Sequence, residues 1–185
     1  MNSIDKAYEL YSNHIYDKEK IDLLNKHNLK VSGSVPSVLW ELFGAILTER
    51  DGSGTTGADL CGWEVKSAIN GGSYEYQYHL NTGLEKLKED CIVNHLFCSY
   101  SATYKDVSVK AICGKDLSDR FFKNWEPLYR ANYDVTAPNS RRRQRFRKNI
   151  PYRYVEQNGL SVLSIEDGIL VDRNDNVIKE LNQSC

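Results

Sequence analysis

Two neighbouring segments, one with helical and one with strand periodicity, restrict most strongly how this chain can fold. Residues 38–47, VLWELFGAIL, predict an apolar helix, and Ser37 before it is a candidate N-terminal cap. Residues 63–69, WEVKSAI, alternate as a strand does, and the preceding ADL at 58–60 predicts a partner strand. The sequence therefore predicts a helix followed by a short hairpin that turns at Cys61–Gly62.

The rest of the chain mixes helical and strand patterns without strict alternation. Helical spacing is found at 4–28, with a break near Tyr16–Asp17, and again at 82–90 and 118–131. Strand character is found at 74–80, 92–102, 107–115 and 150–165. This mixture predicts an α/β chain of the mixed α+β type, with a central mixed β-sheet flanked by helices.

Length and composition limit the number of domains and the cellular setting. The chain has 185 residues, of which 41% are hydrophobic, so we expect 1–185 to form a single domain around one core. It has no apolar run of membrane-spanning length and no secretory signal, which predicts a soluble, intracellular protein with no membrane partner. Five scattered cysteines without CxxC spacing predict neither a disulfide framework nor a zinc site.

The formal net charge of −1 conceals an uneven charge distribution. SRRRQRFRKN, residues 140–149, contains no acid and six basic residues: Arg141, Arg142, Arg143, Arg145, Arg147 and Lys148. A local positive field of this kind attracts nucleic-acid phosphates even when the whole chain is close to neutral.

Three charged residues in GADLCGWEVKSAIN, residues 57–70, suggest a catalytic site. On the predicted hairpin, Asp59 and Glu64 lie on adjacent strands, and Lys66 shares the strand face of Glu64. Two carboxylates so placed suit Mg²⁺, and the lysine can orient a water or offset charge on a phosphate. An exposed cross-strand salt bridge is the alternative interpretation of the same pattern.

Further segments extend this motif into a resemblance to a known family. The relevant stretches are GADL, EVKSAIN, YQYHLNTG at 76–83, FFKNWEPLY at 121–129 and NIPYRYVEQNG at 149–159. In this order, over roughly residues 33–160, the chain resembles the PD-(D/E)XK nuclease superfamily, and within it the small type II restriction endonucleases of the PvuII-like group.

The resemblance implies a homodimeric enzyme that hydrolyses phosphodiester bonds on both strands of a short palindrome in double-stranded DNA. It implies an N-terminal helical dimerisation region at about 1–32, a catalytic and DNA-recognition core at about 33–160, and a C-terminal extension at about 161–185. A two-fold protein presents one catalytic centre to each DNA strand. The expected setting is the cytoplasm of a bacterial or archaeal host, in which a cognate DNA methyltransferase protects the same sites.

The resemblance also implies the metal chemistry. Asp59, Glu64 and Lys66 correspond to the catalytic residues, and the metal ligands are Asp59, Glu64 and the main-chain carbonyl of Val65. The expected cofactor is Mg²⁺. Mn²⁺ is expected to substitute for it, and Ca²⁺ is expected to support DNA binding without cleavage.

Candidate DNA contacts fall in two segments and one loop. The segment with Gln77, Tyr78 and His79 lies where the family has its histidine-bearing DNA-contacting turn, and Ser34 lies in a loop that can reach the minor groove. Arg145 or Arg147 either reads guanine or contacts phosphate without reading a base. The other basic residues of the run are candidate DNA contacts too, and the six cannot all reach base edges. Gln77 either reads adenine or is an ordinary surface glutamine of a strand.

Two other functions are compatible with the sequence. A structure-selective DNA repair or junction-resolving nuclease can use the same metal-binding hairpin, because fold and core chemistry do not fix the substrate. A non-catalytic DNA-binding module would keep the arginine run but would not need Asp59, Glu64 and Lys66 together.

Overall fold

The computed structural model describes residues 2–54, 57–133, 136, 138 and 145–184, without the side chain of Ser184. Its strands are β1 (Trp63–Ile69), β2 (Tyr74–His79), β3 (Asn94–Tyr100), β4 (Val107–Cys113), β5 (Arg145–Ile150), β6 (Leu160–Glu166) and β7 (Ile169–Arg173).

The helices come mostly before and between these strands. They are α1 (Ser3–Leu10), α2 (Lys18–Lys26), α3 (Ser37–Thr48), α4 (Gly83–Asp90), α5 (Gly114–Leu117), α6 (Lys123–Asn132), α7 (Tyr152–Asn158) and α8 (Asp175–Ser184). Two π-helical segments, Tyr11–Ile15 and Ser118–Phe122, continue α1 and precede α6. Over the described residues, no helix combines the length and the apolar character needed to cross a membrane.

The strands form a central mixed sheet and a separate two-stranded ribbon. The five-stranded sheet has the order β1-β3-β4-β6-β7, in which β1 and β3 are parallel and the other neighbours are antiparallel. The ribbon pairs β2 with β5 in antiparallel register. The predicted fold class, a mixed sheet flanked by helices, is therefore confirmed.

Two apolar clusters hold the layers together. One unites α1, α3 and α8 with the sheet, and Trp40, Phe43 and Val65 are buried in it. The other packs the ribbon, α6 and α7 against Phe97 of β3 through rings such as Tyr76 and Trp125. The sheet is thus covered on both faces, and the ribbon is fixed beside β1.

The contact between α3 and β1 depends on a glycine. A Cβ atom at Gly44 would lie 2.6 Å from Cγ2 of Val65, which is closer than side-chain carbons approach each other. Only a residue without a side chain lets α3 lie this close to β1. The helix therefore fixes the strand that bears the candidate catalytic residues.

The C-terminal segment is built into the core. β6 and β7 complete the sheet, and Val177, Ile178 and Leu181 of α8 are buried in the first cluster. Asn182 accepts a hydrogen bond from the indole Nε1 of Trp63 at 2.9 Å and donates one to the carbonyl of Thr48 at 2.9 Å. Helix α8 thereby connects the end of α3 to the start of β1.

Three local predictions need correction. Ser37 does not cap α3, because Pro36 occupies the N-cap position and no side chain caps the helix. Residues 58–60 do not form a regular strand, although Leu60 pairs with Trp63 across the predicted turn. Residues 152–158 form α7 instead of a strand, because Pro151 lacks a backbone donor for a ladder and suits the start of a helix.

Candidate active site

Asp59 is placed by the backbone of β1. It lies in the loop between α3 and β1, and its Oδ2 accepts a hydrogen bond from the N–H of Val65 at 3.0 Å. The backbone N–H of Asp59 donates in turn to Oε2 of Glu64 at 3.2 Å. These two bonds bring the Asp59 and Glu64 carboxylates together at the N-terminal end of β1.

Glu64 is a buried carboxylate with an ammonium group on each oxygen. Its side chain is only 2% exposed. Lys66 Nζ lies 2.5 Å from Oε1, as the strand alternation predicts for residues two apart, and Lys86 Nζ lies 2.7 Å from Oε2. The pattern is thus not an exposed salt bridge but a buried cluster that includes a second lysine.

That second lysine comes from α4. Lys86 also pairs with Asp90 one helical turn later, with 2.5 Å between Nζ and Oδ1. Asp90 is fully buried, and its other oxygen accepts a hydrogen bond from the hydroxyl of Tyr78 at 2.7 Å. Helix α4 therefore places the Lys86–Asp90 ion pair next to Glu64.

A buried histidine extends the network towards Lys66. His95 Nε2 lies 2.8 Å from the carbonyl oxygen of Asp90, which can only accept, so this nitrogen carries the proton. Nδ1 is then the acceptor for the hydroxyl of Tyr76, at 2.8 Å. The ring of Tyr76 lies under the Lys66 ammonium, with 4.8 Å between Nζ and the ring centroid. His95 is thus a buried residue whose two ring nitrogens are both engaged.

The electrostatics of the two carboxylates differ. Burial, reinforced by the charge of Glu64, raises the pKa of Asp59 to about 6. Burial also acts to raise the pKa of Glu64, but Lys66 and Lys86 outweigh it and hold that pKa below its ordinary value. Asp59 is therefore the carboxylate that gains most from an added cation.

The donor set fits Mg²⁺. Carboxylate oxygens of Asp59 and Glu64 and the carbonyl oxygen of Val65 are hard donors of the kind that Mg²⁺ prefers. Within the described ranges, no group of three or more His, Cys, Asp or Glu side chains forms a ready metal cage. An ion here would need further oxygens from water and phosphate, which is the usual way Mg²⁺ is held.

A cleft of about 600 Å³ opens beside Lys86. Lys86 lines it, together with Gly57 before Asp59 and with Gln77 and His79 at the end of β2. Of the charged cluster around Glu64, Lys86 lines this cleft, which extends from there to the ribbon.

The outer face of the ribbon carries four of the predicted DNA contacts. Gln77 lies opposite Arg147 and His79 lies opposite Arg145. Arg147 Nε donates to the side-chain carbonyl of Gln77 at 3.1 Å, and the Gln77 amide nitrogen lies 3.2 Å from His79 Nε2. His79 and both arginines are exposed, and Gln77 is half-buried.

Other predicted contacts are placed differently. Tyr78 is corrected from a DNA contact to a core residue, because it is 1% exposed and bonded to Asp90. Lys148 lies on the opposite face of β5 from Arg147, with its ammonium 5.5 Å from the Phe146 ring centroid. Residues 141–143, the remaining arginines of the run, lie outside the described residues.

Ser34 is not brought to this site. Its neighbours Gly33 and Val35 donate their N–H groups to the hydroxyl of Tyr104, in the loop after β3. That loop lies at the opposite end of the sheet from Glu64, because β1 and β3 run in parallel. The Ser34 hydroxyl is buried and has no hydrogen-bond partner among the described residues.

Sequence reasoning missed the residues that complete the network: Tyr76, Lys86, Asp90 and His95. A signal for one pair was present, because Lys86 and Asp90 are four apart in a helical segment. Their approach to Glu64 depends on how α4 packs beside β1, which no local pattern indicates.

No protein-family model matches the chain, and no curated protein sequence matches it either.

Proposed function

We propose that the protein is a Mg²⁺-dependent type II restriction endonuclease, acting as a homodimer on a short palindromic sequence in double-stranded DNA. The observation that carries the proposal is the pairing of Lys66 with the buried carboxylate of Glu64, to which the backbone N–H of Asp59 also donates. Lys86, the second cation on Glu64, lines a cleft that Gln77 and His79 of the ribbon also line. A surface ion pair would need neither this burial nor the neighbouring cleft.

The chain's own residues suit phosphodiester hydrolysis. Asp59 and Glu64 present oxygens at one end of β1, and the carbonyl of Val65 lies between Glu64 and Lys66 in the strand. Mg²⁺, when bound by these three, would lower the pKa of a water and offset charge on the scissile phosphate. Lys66 holds a positive charge beside Glu64, where it can orient the attacking water and stabilise the charge that develops on phosphate.

The β2–β5 ribbon suits sequence recognition. A two-stranded ribbon fits the major groove, in which arginine pairs with guanine and glutamine with adenine. Gln77, Arg145 and Arg147 lie on one outward face, so they can meet one groove together. The remaining basic residues of the run would contact phosphates and add affinity without selectivity.

A homodimer would place one such site on each DNA strand. Leu23 of α2 and Leu29 after it are 50% and 58% exposed, which suits contact with a second copy in the N-terminal region. In a bacterial or archaeal cytoplasm, the enzyme would need a partner methyltransferase of the same specificity.

Digestion of mixed DNA tests this function. Purified protein is incubated with plasmid and phage DNA, with Mg²⁺ or with EDTA, and the fragment ends are sequenced. We expect discrete, Mg²⁺-dependent fragments whose ends share one short palindrome. Cleavage confined to branched DNA would instead establish a structure-selective repair nuclease, and specific binding without cleavage under all metals would establish a binding module.

A further inference from the structure

Lys86 occupies a carboxylate oxygen that the proposed metal would need. We infer that Lys86 is a resident counter-cation of Glu64 that competes with the divalent metal, so that it keeps metal affinity low in the free protein. The inference rests on the proposed function, because it concerns the same metal site. It adds a functional lysine from α4 to the Asp59, Glu64 and Lys66 set.

Both carboxylate oxygens of Glu64 are already engaged. Oε1 is paired with Lys66 at 2.5 Å, and Oε2 accepts from both Lys86 at 2.7 Å and the N–H of Asp59 at 3.2 Å. A metal ion that binds either oxygen must therefore share it with one of these ammonium groups or displace that group. The charge of that group also repels the ion at close range.

Lys86 can leave Glu64 without losing its ion pair with Asp90. Its ammonium is shared between Glu64 and Asp90, with 2.5 Å between Nζ and Asp90 Oδ1. Asp90 is fully buried and is held by the hydroxyl of Tyr78, so this second partner stays in place. Release from Glu64 therefore leaves neither Lys86 nor Asp90 as an isolated buried charge.

The Lys86 side chain also has open space into which it can move. It lines the open cleft and keeps 17% of its side chain exposed. In that cleft it would meet a DNA phosphate, which can take over as its anionic partner. Entry of DNA would thereby favour binding of the metal, and the site would remain weak for metal until substrate arrives.

Titration with Mn²⁺ alone tests the inference, with free Mn²⁺ measured by electron paramagnetic resonance and no DNA present. We expect Lys86→Met to bind Mn²⁺ on the order of tenfold more tightly than the wild type, because a close positive charge is removed. Lys88→Met is the matched control. Lys88 lies on the same helix, is 53% exposed and forms a surface ion pair with Glu85, so its loss should leave affinity unchanged.

A second variant should change Mn²⁺ affinity in the opposite direction. It keeps the test valid if Lys86→Met folds poorly. Asp90→Asn removes the alternative partner of Lys86, so the lysine should remain on Glu64 and Mn²⁺ affinity should fall. Unchanged or weaker binding by a folded Lys86→Met protein would overturn the inference while leaving the metal site standing. Absence of Mn²⁺ binding in the wild type and in both variants would overturn the proposed function and this inference together.

Discussion

The carboxylate of Asp59 is held by the backbone N–H of Val65, at 3.0 Å from Oδ2. A loop residue thus takes its position from the strand residue between Glu64 and Lys66. Because the side chain of Val65 faces α3, anything that moves α3 against β1 also moves Asp59 relative to Glu64. The precision of the site therefore depends on packing on the face of the strand that is remote from the chemistry.

Substitution of Gly44 tests this dependence. Gly→Ala within a helix normally stabilises a protein, by about 1 kcal/mol. Here the added Cβ would lie 2.6 Å from Val65 Cγ2, so Gly44→Ala should instead lower the free energy of unfolding by about 1–3 kcal/mol and reduce cleavage. Urea unfolding measures the first effect. A variant as stable as the wild type would show that α3 does not press on β1.

Burial of neutral His95 predicts a pH dependence of stability. Burial lowers the pKa of His95 to about 4 in the folded protein, against about 6.5 in an unfolded chain. The unfolded state therefore takes up the proton first as the pH falls. The contribution of neutral His95 to the free energy of unfolding should be fully present above pH 6.5. As the pH falls towards 4, the free energy of unfolding should decrease by up to about 3 kcal/mol.

Comparison with His95→Gln isolates this effect, because Asp59 and the other carboxylates titrate in both proteins. Unfolding by urea is measured at several pH values between 4 and 7. The free energy of unfolding of the wild type should fall more steeply with acidification than that of the variant. Parallel curves would mean that His95 is not held neutral between Tyr76 and Asp90.

Arg147 tests recognition by the ribbon. If it reads guanine, Arg147→Gln should reduce discrimination between the cognate site and a site changed at one base pair by about 1–3 kcal/mol. If it contacts phosphate, affinity for both sequences should fall together and the salt dependence should weaken. Binding is measured with Ca²⁺ in place of Mg²⁺. Arg130→Gln, which removes an exposed arginine paired with Glu126 on α6, is the control and should change neither quantity.

The fold was largely predictable because its helices and strands have clear periods. WEVKSAI places Glu64 and Lys66 on one face by alternation alone, and that face is the one observed. The segment after Pro151 was misassigned because its aromatic residues have strand character, whereas proline favours the start of a helix. Tyr78 was misplaced because the resemblance assigned the whole segment to DNA contact, whereas alternation puts Tyr78 on the opposite face of β2 from Gln77 and His79.

The candidate site was predictable only where its residues are close in sequence. Asp59, Glu64 and Lys66 lie within eight positions, so a turn and a strand period bring them together. Lys86 and Asp90 reach Glu64 from a helix about twenty residues further along the chain. Their contact depends on the angle at which α4 packs on the ribbon and sheet, which is a tertiary property without a local signature.

The central claim is that Asp59, Glu64 and Lys66 form a catalytic centre. Its most direct test is single-turnover cleavage of a cognate duplex by Lys66→Met with Mg²⁺, beside binding of the same duplex with Ca²⁺. Lys105→Met is the control, because Lys105 forms an exposed ion pair with Asp167. We predict that Lys66→Met binds like the wild type but cleaves on the order of 10²–10³-fold more slowly, because a charge beside the phosphate is lost. Cleavage by Lys66→Met at the rate of the wild type would contradict the account.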